Sequence, residues 1–290
     1  MSEQRSCFHL NTMAGGDGRR FWPHIYIHYA IHYKRPVQAL LEELFDVRLP
    51  FKWQKRSLSG RRAIVYPKLN PNRICDQLLK RNQSNPIDVL GLCEVLRSQQ
   101  PRYLEALQAM GYSTIHTALG HKPKGIKDHL SVILATREPT EAIPIPHPFT
   151  WGKMIGGGGG AILARGLESG IYYLYLHLCT TEKMTLYQKH MQTLNSNLNA
   201  LPMTSEVVLM GDFNYPIKQL RTRIPALAAF NDCMNQPETP TFLQWWDRRS
   251  VDHILARGRL PANAQGEVVT ELFNSDHAAV QSVLVSDSSH

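Results

Sequence analysis

The sequence has no apolar run long enough to cross a membrane. Its longest runs, such as Ile171–Leu176, are far shorter than the roughly 20 residues that a membrane-spanning helix needs. The first residues, MSEQRSCFHLNTM, contain neither a basic region followed by a long apolar stretch nor a small-residue cleavage site. We therefore expect no transmembrane segment and no secretory signal. The expected location is the cytoplasm, with export by an unsignalled route as the alternative.

The sequence also lacks cysteine pairs and a phosphate-binding glycine motif. The five cysteines are an odd number without any C-x-x-C pair, which favours reduced thiols over a disulfide framework or a zinc site. The five-glycine run Gly156–Gly160 precedes a strand-like segment and is not followed by Gly-Lys-Ser or Gly-Lys-Thr. It therefore predicts a flexible loop rather than a P-loop.

Positive charge is abundant, and it is concentrated in one segment. The net charge is +8, and residues 15–69 contain eleven Lys or Arg against four Asp or Glu, a net charge of +7. The same segment holds nine aromatic residues. Interleaved basic and aromatic side chains suit a polyanion with stackable groups, and a solvated basic face over an aromatic core is the alternative interpretation. The candidate substrate-binding residues in this segment are Lys52, Lys55, Arg56, Arg61 and Arg62.

Strand-like and helix-like segments alternate along the rest of the chain. Helices are predicted at Asn72–Arg81, Gln100–Met110 and Met184–Leu201. Strands are predicted at Ser6–Asn11, Ile87–Leu92, Leu130–Thr136, Ala161–Leu167, Ile171–Leu178, Val207–Met210, Val251–Ala256 and Val280–Val285. Many strands separated by single helices, with a hairpin among them, predict one α/β domain over residues 1–290, built as a sandwich of mixed sheets.

Polar side chains follow several of these strands at the point where each strand ends. Residues 207–216, VVLMGDFNYP, are an apolar strand that ends in Asp212 and Asn214. Carboxylates placed where strands end can converge from distant parts of the chain on one cleft, which suits a metal and phosphate site. Similar positions at other strands present Asn11, Glu94, His177, Asp252, Asp276 and His277.

In their order and type these segments resemble the exonuclease-endonuclease-phosphatase superfamily. This group contains apurinic endonucleases, pancreatic-type deoxyribonucleases, deadenylases, inositol-phosphate phosphatases and bacterial sphingomyelinases. The resemblance covers Cys7–Asn11 and most of Asn72–Leu284, and its most specific motifs are GDFN and SDH. It implies a four-layer α/β sandwich of two mixed sheets flanked by helices. It also implies a metal-dependent phosphoesterase that uses Mg²⁺, with Mn²⁺ as a substitute.

The same resemblance implies which residues hold the metal. These are Asn11 at the end of the first strand, Glu94 of the segment DVLGLCEV, and Asp276 of the SDH motif. The residue types agree with this assignment, because Mg²⁺ prefers hard oxygen ligands and keeps several waters.

The resemblance further implies five catalytic residues. His177 would stabilise the attacked phosphate or protonate the leaving group. Asp212 would position or activate the attacking water, and Asn214 would contact the phosphate. Asp252 would orient His277, which would act as the base.

The resemblance also implies an insertion. The family bridges its first two motifs with little more than one helix, whereas Asn11 and Glu94 are 83 residues apart, so residues 15–69 are expected to be inserted. Segments 177–180 and 249–253 depart from the apurinic-endonuclease and inositol-phosphatase patterns. We predict a nuclease that hydrolyses phosphodiester bonds of nucleic acid. The alternatives are a phosphatase or phosphodiesterase acting on a phospholipid, inositol phosphate or nucleotide, and a non-catalytic module that binds nucleic acid or protein.

Overall fold

The computed structural model describes residues 3–12, 71–120, 128–149, 159–179, 184–244, 247–259, 265–269, 275 and 277–286. The predicted insertion at 15–69 lies outside the described residues, and so do its candidate substrate-binding residues Lys52, Lys55, Arg56, Arg61 and Arg62. Asp276 lies outside them as well.

The described chain alternates between strands and helices as its apolar pattern predicts. The helices are α1 (Pro71–Ser84), α2 (Gln100–Ala109), α3 (Met184–Ala200) and α4 (Ile217–Arg223). The strands are β1 (Glu3–Asn11), β2 (Val89–Leu96), β3 (Thr114–Leu119), β4 (Leu130–Thr136), β5 (Thr140–Ile143), β6 (Ala161–Gly166), β7 (Tyr172–His177), β8 (Val207–Asp212), β9 (Asn231–Asp232), β10 (Phe242–Gln244), β11 (Asp247–Arg249), β12 (Asp252–Arg257), β13 (Gln265–Val269) and β14 (Ala279–Ser286). Each helix and strand that the sequence predicts is confirmed, with ends that differ by at most four residues.

Two six-stranded sheets form the centre of the fold. The strand order of the first sheet is β13-β14-β1-β2-β4-β3, and that of the second sheet is β5-β6-β7-β8-β12-β9. Strands β1 and β2 are parallel, as are β7 and β8, while the other neighbouring pairs are antiparallel. Both sheets are therefore mixed, which confirms the predicted α/β sandwich.

The core lies in three layers between and outside the sheets. Val89 of the first sheet and Met210 of the second belong to one apolar cluster between them. On the outer faces, Leu78 of α1 packs on the first sheet and Leu194 of α3 packs on the second. Because each sheet is covered on both faces, its central strands read as nearly continuous apolar runs. The order of layers is helices, sheet, sheet, helices.

All five cysteines fall within the described ranges, where they are buried free thiols. Burial raises the pKa of Cys7 to about 12, so this thiol is protonated at neutral pH.

Within the described part of the chain, none of the helices combines the length and the hydrophobicity that a membrane-crossing helix requires.

Candidate active site

The register of the second sheet places three polar residues side by side. Strands β7 and β8 run parallel and end at His177 and Asp212, which are paired. Strand β12 runs antiparallel to β8 and begins at Asp252, which is paired with Asp212 on its other side. Gly211 makes this edge possible, because a Cβ at that position would lie 1.8 Å from the carbonyl oxygen of Leu176. The glycine of the GDFN motif thus allows β8 to approach β7 closely, directly before Asp212.

Strand β2 presents Glu94 through a β-bulge. Its pairing with β4 shifts between Leu92 and Val95, so that Cys93 and Glu94 together oppose a single residue of β4. Glu94 has a φ of 55°, in the left-handed region that residues other than glycine rarely adopt. Its Oε1 atom lies 3.8 Å from Nε2 of His177. The sequence places Glu94 after the end of a strand, and this was wrong: it lies within β2, and the bulge re-aims its side chain.

Asp212 lies at the centre of the site, with 1% of its surface exposed. Its Oδ1 accepts a hydrogen bond from the backbone N–H of Asn214 at 2.8 Å, and its Oδ2 accepts one from Nδ2 of Asn11 at 3.0 Å. The same Oδ2 lies 3.5 Å from Nε2 of His177 and 3.9 Å from Nε2 of His277. One carboxylate oxygen therefore lies near two imidazoles, that of His177 at the end of β7 and that of His277 two residues before β14.

Asp252 is held by two other contacts, of which the sequence predicts only one. Its Oδ2 accepts a hydrogen bond from Nδ1 of His277 at 2.8 Å, as expected. Its Oδ1 accepts a hydrogen bond from Nε2 of His9 at 2.7 Å, and Nδ1 of His9 lies 2.9 Å from the hydroxyl of Tyr175. Neither His9 nor Tyr175 is predicted from the sequence. The period of two in a strand was the available signal, because it places His9 on the same face of β1 as Asn11.

The two buried aspartates have pKa values displaced in opposite directions. Burial, followed by the charge of Asp252, raises the pKa of Asp212 to about 6. Burial alone would raise the pKa of Asp252 too, but the neighbouring imidazoles of His277 and His9 hold it well below its ordinary range. Such a divergence is typical of sites in which two carboxyl groups have different tasks. Asp252 is ionised at neutral pH, and Asp212 takes up a proton near pH 6.

The donor set fits a hard divalent cation. Ligand atoms of Asp212, Asp252 and His277 lie within 4.8 Å of one another, but both oxygens of Asp252 accept hydrogen bonds from imidazoles. Glu94, whose side chain is 21% exposed, adds a carboxylate beside this cluster. Asn11 directs its amide nitrogen to Asp212, so its amide oxygen faces away from that carboxylate. Carboxylate and amide oxygens of this kind are the ligands that Mg²⁺ prefers.

The structure therefore brings together seven of the eight residues predicted for metal binding and catalysis. These are Asn11, Glu94, His177, Asp212, Asn214, Asp252 and His277. The eighth, Asp276, lies outside the described residues, although its neighbours Ser275 and His277 are placed. The Ser275 hydroxyl donates to the carbonyl oxygen of Asn11 at 2.6 Å, which joins the SDH segment to the end of β1.

The sequence model of the endonuclease/exonuclease/phosphatase family matches residues 66–277. The chain belongs to this family. Its members are generally hydrolytic phosphoesterases that typically depend on a divalent metal. The resemblance that the motifs indicate is thereby confirmed. A comparison with curated proteins found no match.

Solved structures of family members share the fold. A family protein from Bacteroides thetaiotaomicron has a TM-score of 0.59 at 12% identity, with 99% of each chain covered. A humanized D. rerio TDP2 has a TM-score of 0.57 at 14% identity, covering 97% of this chain and 98% of that one. A family protein from Beutenbergia cavernae has a TM-score of 0.56 at 20% identity, covering 73% of this chain and 66% of that one. These similarities confirm the predicted four-layer sandwich.

Proposed function

We propose that this member of the family is a Mg²⁺-dependent phosphodiesterase that hydrolyses phosphodiester bonds of nucleic acid. The observation that carries the proposal is the position of Asp212, whose Oδ2 lies between Nε2 of His177 and Nε2 of His277 at 3.5 and 3.9 Å. Phosphoryl transfer is catalysed mainly by positioning and by electrostatic stabilisation. A carboxylate flanked by two imidazoles can supply both to a water and a phosphate.

His277 and Asp212 would act on the attacking water. Ionised Asp252 accepts from Nδ1 of His277, which leaves Nε2 of the neutral imidazole as an acceptor. The 3.9 Å between that Nε2 and Oδ2 of Asp212 is too long for a direct hydrogen bond and leaves room for a water within reach of both atoms. In this proposal Asp212 positions the water, His277 takes its proton, and Asp252 stabilises the resulting imidazolium.

His177 and Asn214 would act on the phosphate. Nε2 of His177 lies near two carboxylates, 3.5 Å from Asp212 and 3.8 Å from Glu94, and would donate to the attacked phosphate or the leaving oxygen. Nδ2 of Asn214 donates one hydrogen bond to the carbonyl oxygen of Leu178 at 2.8 Å, which orients the amide. The second N–H of that amide would contact the phosphate.

Glu94, Asn11 and Asp276 would hold the metal. A bound Mg²⁺ or Mn²⁺ would neutralise charge on the attacked phosphate group. The same proposal includes the domain organisation: one catalytic domain over residues 1–290, with residues 15–69 inserted between β1 and α1. The basic residues Lys52, Lys55, Arg56, Arg61 and Arg62 of this insertion would bind the substrate, and their charge favours nucleic acid over a small phosphate ester.

A substrate panel tests the proposed function. The full-length protein is incubated with DNA, RNA, nucleotides, inositol phosphates and phospholipid, each with Mg²⁺, Mn²⁺ or EDTA. We expect cleavage of DNA or RNA that requires the metal and stops in EDTA. Hydrolysis of small phosphorylated substrates alone would replace nucleic acid by the phosphatase alternative. Absence of hydrolysis with every substrate would leave the non-catalytic binding module.

A further inference from the structure

Each carboxylate oxygen of Asp252 accepts a hydrogen bond from one imidazole, and both imidazoles come from the side of the first sheet, since His9 lies on β1 and His277 lies two residues before β14. His277 donates to Oδ2 at 2.8 Å, and His9, which reaches across from β1 in the first sheet, donates to Oδ1 at 2.7 Å. The side chains of His9 and Asp252 are fully buried. A carboxylate is planar, so one N–H donor on each oxygen fixes the plane of the group as well as its position.

The hydrogen bonds also determine the tautomer of His9, that is, which ring nitrogen carries the hydrogen. Ionised Asp252 can only accept, so the bonded Nε2 of His9 carries a hydrogen. In the neutral imidazole Nδ1 is then an acceptor, and the hydroxyl of Tyr175 donates to it at 2.9 Å. Burial raises the pKa of Tyr175 well above its ordinary value, which keeps this hydroxyl protonated.

The ring of Tyr175 packs against Gly91 in the first sheet. A Cβ at Gly91 of β2 would lie 2.2 Å from Cε2 of the Tyr175 ring, so only glycine at that position leaves room for the ring. Tyr175 in turn stands on β7 of the second sheet, two residues before His177. The buried chain Tyr175, His9, Asp252, His277 therefore crosses between the sheets twice, and every group in it has a defined partner.

We propose that His9, backed by Tyr175, is a positioning residue that fixes the Asp252 carboxylate so that its Oδ2 faces Nδ1 of His277. The inference rests on the proposed function, because His9 acts only through the base His277. Without the donor on Oδ1, the carboxylate is free to rotate, and the imidazole it orients loses its fixed tautomer and direction. Misorientation of a catalytic group lowers turnover without weakening substrate binding.

The test compares four variants of the full-length protein. His9→Leu removes both hydrogen bonds of the imidazole, and His9→Gln keeps an amide N–H that can reach Asp252. Tyr175→Phe removes only the hydroxyl behind His9. His116→Leu is the matched control, since His116 lies on the edge strand β3 and its Nε2 contacts the hydroxyl of Thr140.

Two readouts are used. Long-range ¹H–¹⁵N correlation spectra of protein labelled at histidine nitrogens report each tautomer, recorded in EDTA, with His277 assigned by its loss in His277→Gln. The wild type should show His277 protonated at Nδ1 and His9 protonated at Nε2. Separately, kcat and KM are measured on the substrate found in the panel.

For His9→Leu we expect loss of the single His277 tautomer and a kcat roughly 10- to 100-fold lower, with KM changed less than about twofold. His9→Gln should retain most of the single His277 tautomer and of kcat. Tyr175→Phe should give values between those of the wild type and His9→Leu, and His116→Leu should match the wild type. If His9→Leu keeps the His277 tautomer and kcat and lowers only the melting temperature, His9 merely fills the core and the inference is overturned.

The proposed role of His9 can also be tested if the wild type hydrolyses no substrate or if His9→Leu does not fold. If the wild type hydrolyses nothing, the proposed function fails, and the spectra alone judge the inference: a changed His277 tautomer supports it and an unchanged one overturns it. If His9→Leu does not fold, Tyr175→Phe takes its place. An unaltered His277 tautomer and unaltered kcat in Tyr175→Phe would then reject the proposed chain.

Discussion

The two buried aspartates of the site differ because their hydrogen-bond donors differ. Asp252 has an imidazole on each oxygen and stays ionised, whereas Asp212 accepts from a side-chain amide and a backbone N–H, which are neutral. An amide and a backbone N–H offset less of the cost of burying a charge than an imidazole, which can itself take up a positive charge. The residue that would position the water is therefore the one whose charge is least stabilised.

The first prediction concerns turnover. His277→Gln and Asp212→Asn should each lower kcat by about 10²- to 10⁴-fold, because each removes a group that is proposed to act on the attacking water. KM should change little, and circular dichroism should show an intact fold. His116→Gln serves as the control for a histidine outside the site. A rate near that of the wild type in either site variant would refute the assignment.

The second prediction concerns stability and pH. The pKa of Asp212 is raised from 3.8 to about 6 in the folded state. Its contribution to stability is thus fully present below its unfolded pKa and is lost as the pH rises through about 6. In EDTA, Asp212→Asn should therefore gain stability relative to the wild type between pH 4.5 and 7.5, on the order of 1–3 kcal/mol.

Urea unfolding at the two pH values measures this gain. The matched control is Asp76→Asn, at an exposed position of α1. If the difference between Asp212→Asn and the wild type were the same at both pH values, the buried carboxylate would not titrate in this range.

Among the secondary-structure elements, β2 is the one whose irregularity serves the site. A regular strand would alternate its side chains between the core and the helix layer and would bury a carboxylate at one of these two positions. The bulge at Cys93 and Glu94 interrupts the alternation and lets Glu94 stand 3.8 Å from His177. The left-handed conformation of Glu94 costs about 1–2 kcal/mol in an L-residue, so the proposed role of this side chain in metal binding opposes stability.

The prediction for this element separates metal binding from strain. Titration calorimetry with Mg²⁺ and Mn²⁺ should show strongly reduced affinity for both Glu94→Gln and Glu94→Gly. Glycine adopts a φ of 55° without strain, so Glu94→Gly should be about 1 kcal/mol more stable than Glu94→Gln in EDTA. Unchanged metal affinity in both variants would show that Glu94 is not a metal ligand. A less stable glycine variant would argue against strain at the bulge.

For the whole molecule, the distribution of charge sets the expected dependence on salt. Residues 15–69 carry +7 of the net charge of +8, so the other 235 residues together carry about +1. A sandwich that is nearly neutral exerts little long-range attraction on a polyanion. If the substrate is nucleic acid, residues 15–69 should supply most of the attraction.

Neutralising Lys52, Lys55, Arg56, Arg61 and Arg62 together to Gln should raise KM and flatten the dependence of log binding on log salt. Each lost phosphate contact reduces the magnitude of that slope by roughly 0.9 on duplex DNA. The value of kcat should stay nearly unchanged, because such contacts bind substrate and transition state equally. Binding is measured by fluorescence anisotropy from low to moderate salt.

The control neutralises five exposed basic residues elsewhere, with the same change in charge: Arg73, Lys80, Arg165, Lys189 and Arg259. This variant should keep the wild-type slope and KM. If the slope and KM were also unchanged in the first variant, the segment would not contact the substrate, and a small phosphorylated substrate would become the better proposal.

The sequence by itself determined the main elements, three helices and eight strands, and most of the polar residues near their ends. Both are local properties: apolar spacing over a few residues specifies a strand or helix, GDFN lies at the end of β8, and SDH lies just before β14. Even the mixed character of the sheets follows from single helices and one hairpin between strands. Hence Asp212, Asp252 and His277 could be selected before their distances were known.

Only the tertiary structure decided how these residues act on one another. His9 and Asp252 are 243 positions apart, and their contact exists because β1 and β12 come to face each other across the core. The bulge at Glu94 depends on the partner strand β4, and the raised pKa of Asp212 depends on burial beside a second carboxylate. Pairing, burial and electrostatic coupling are properties of neighbours in space, and the order of residues along the chain does not contain them until the sheets are assembled.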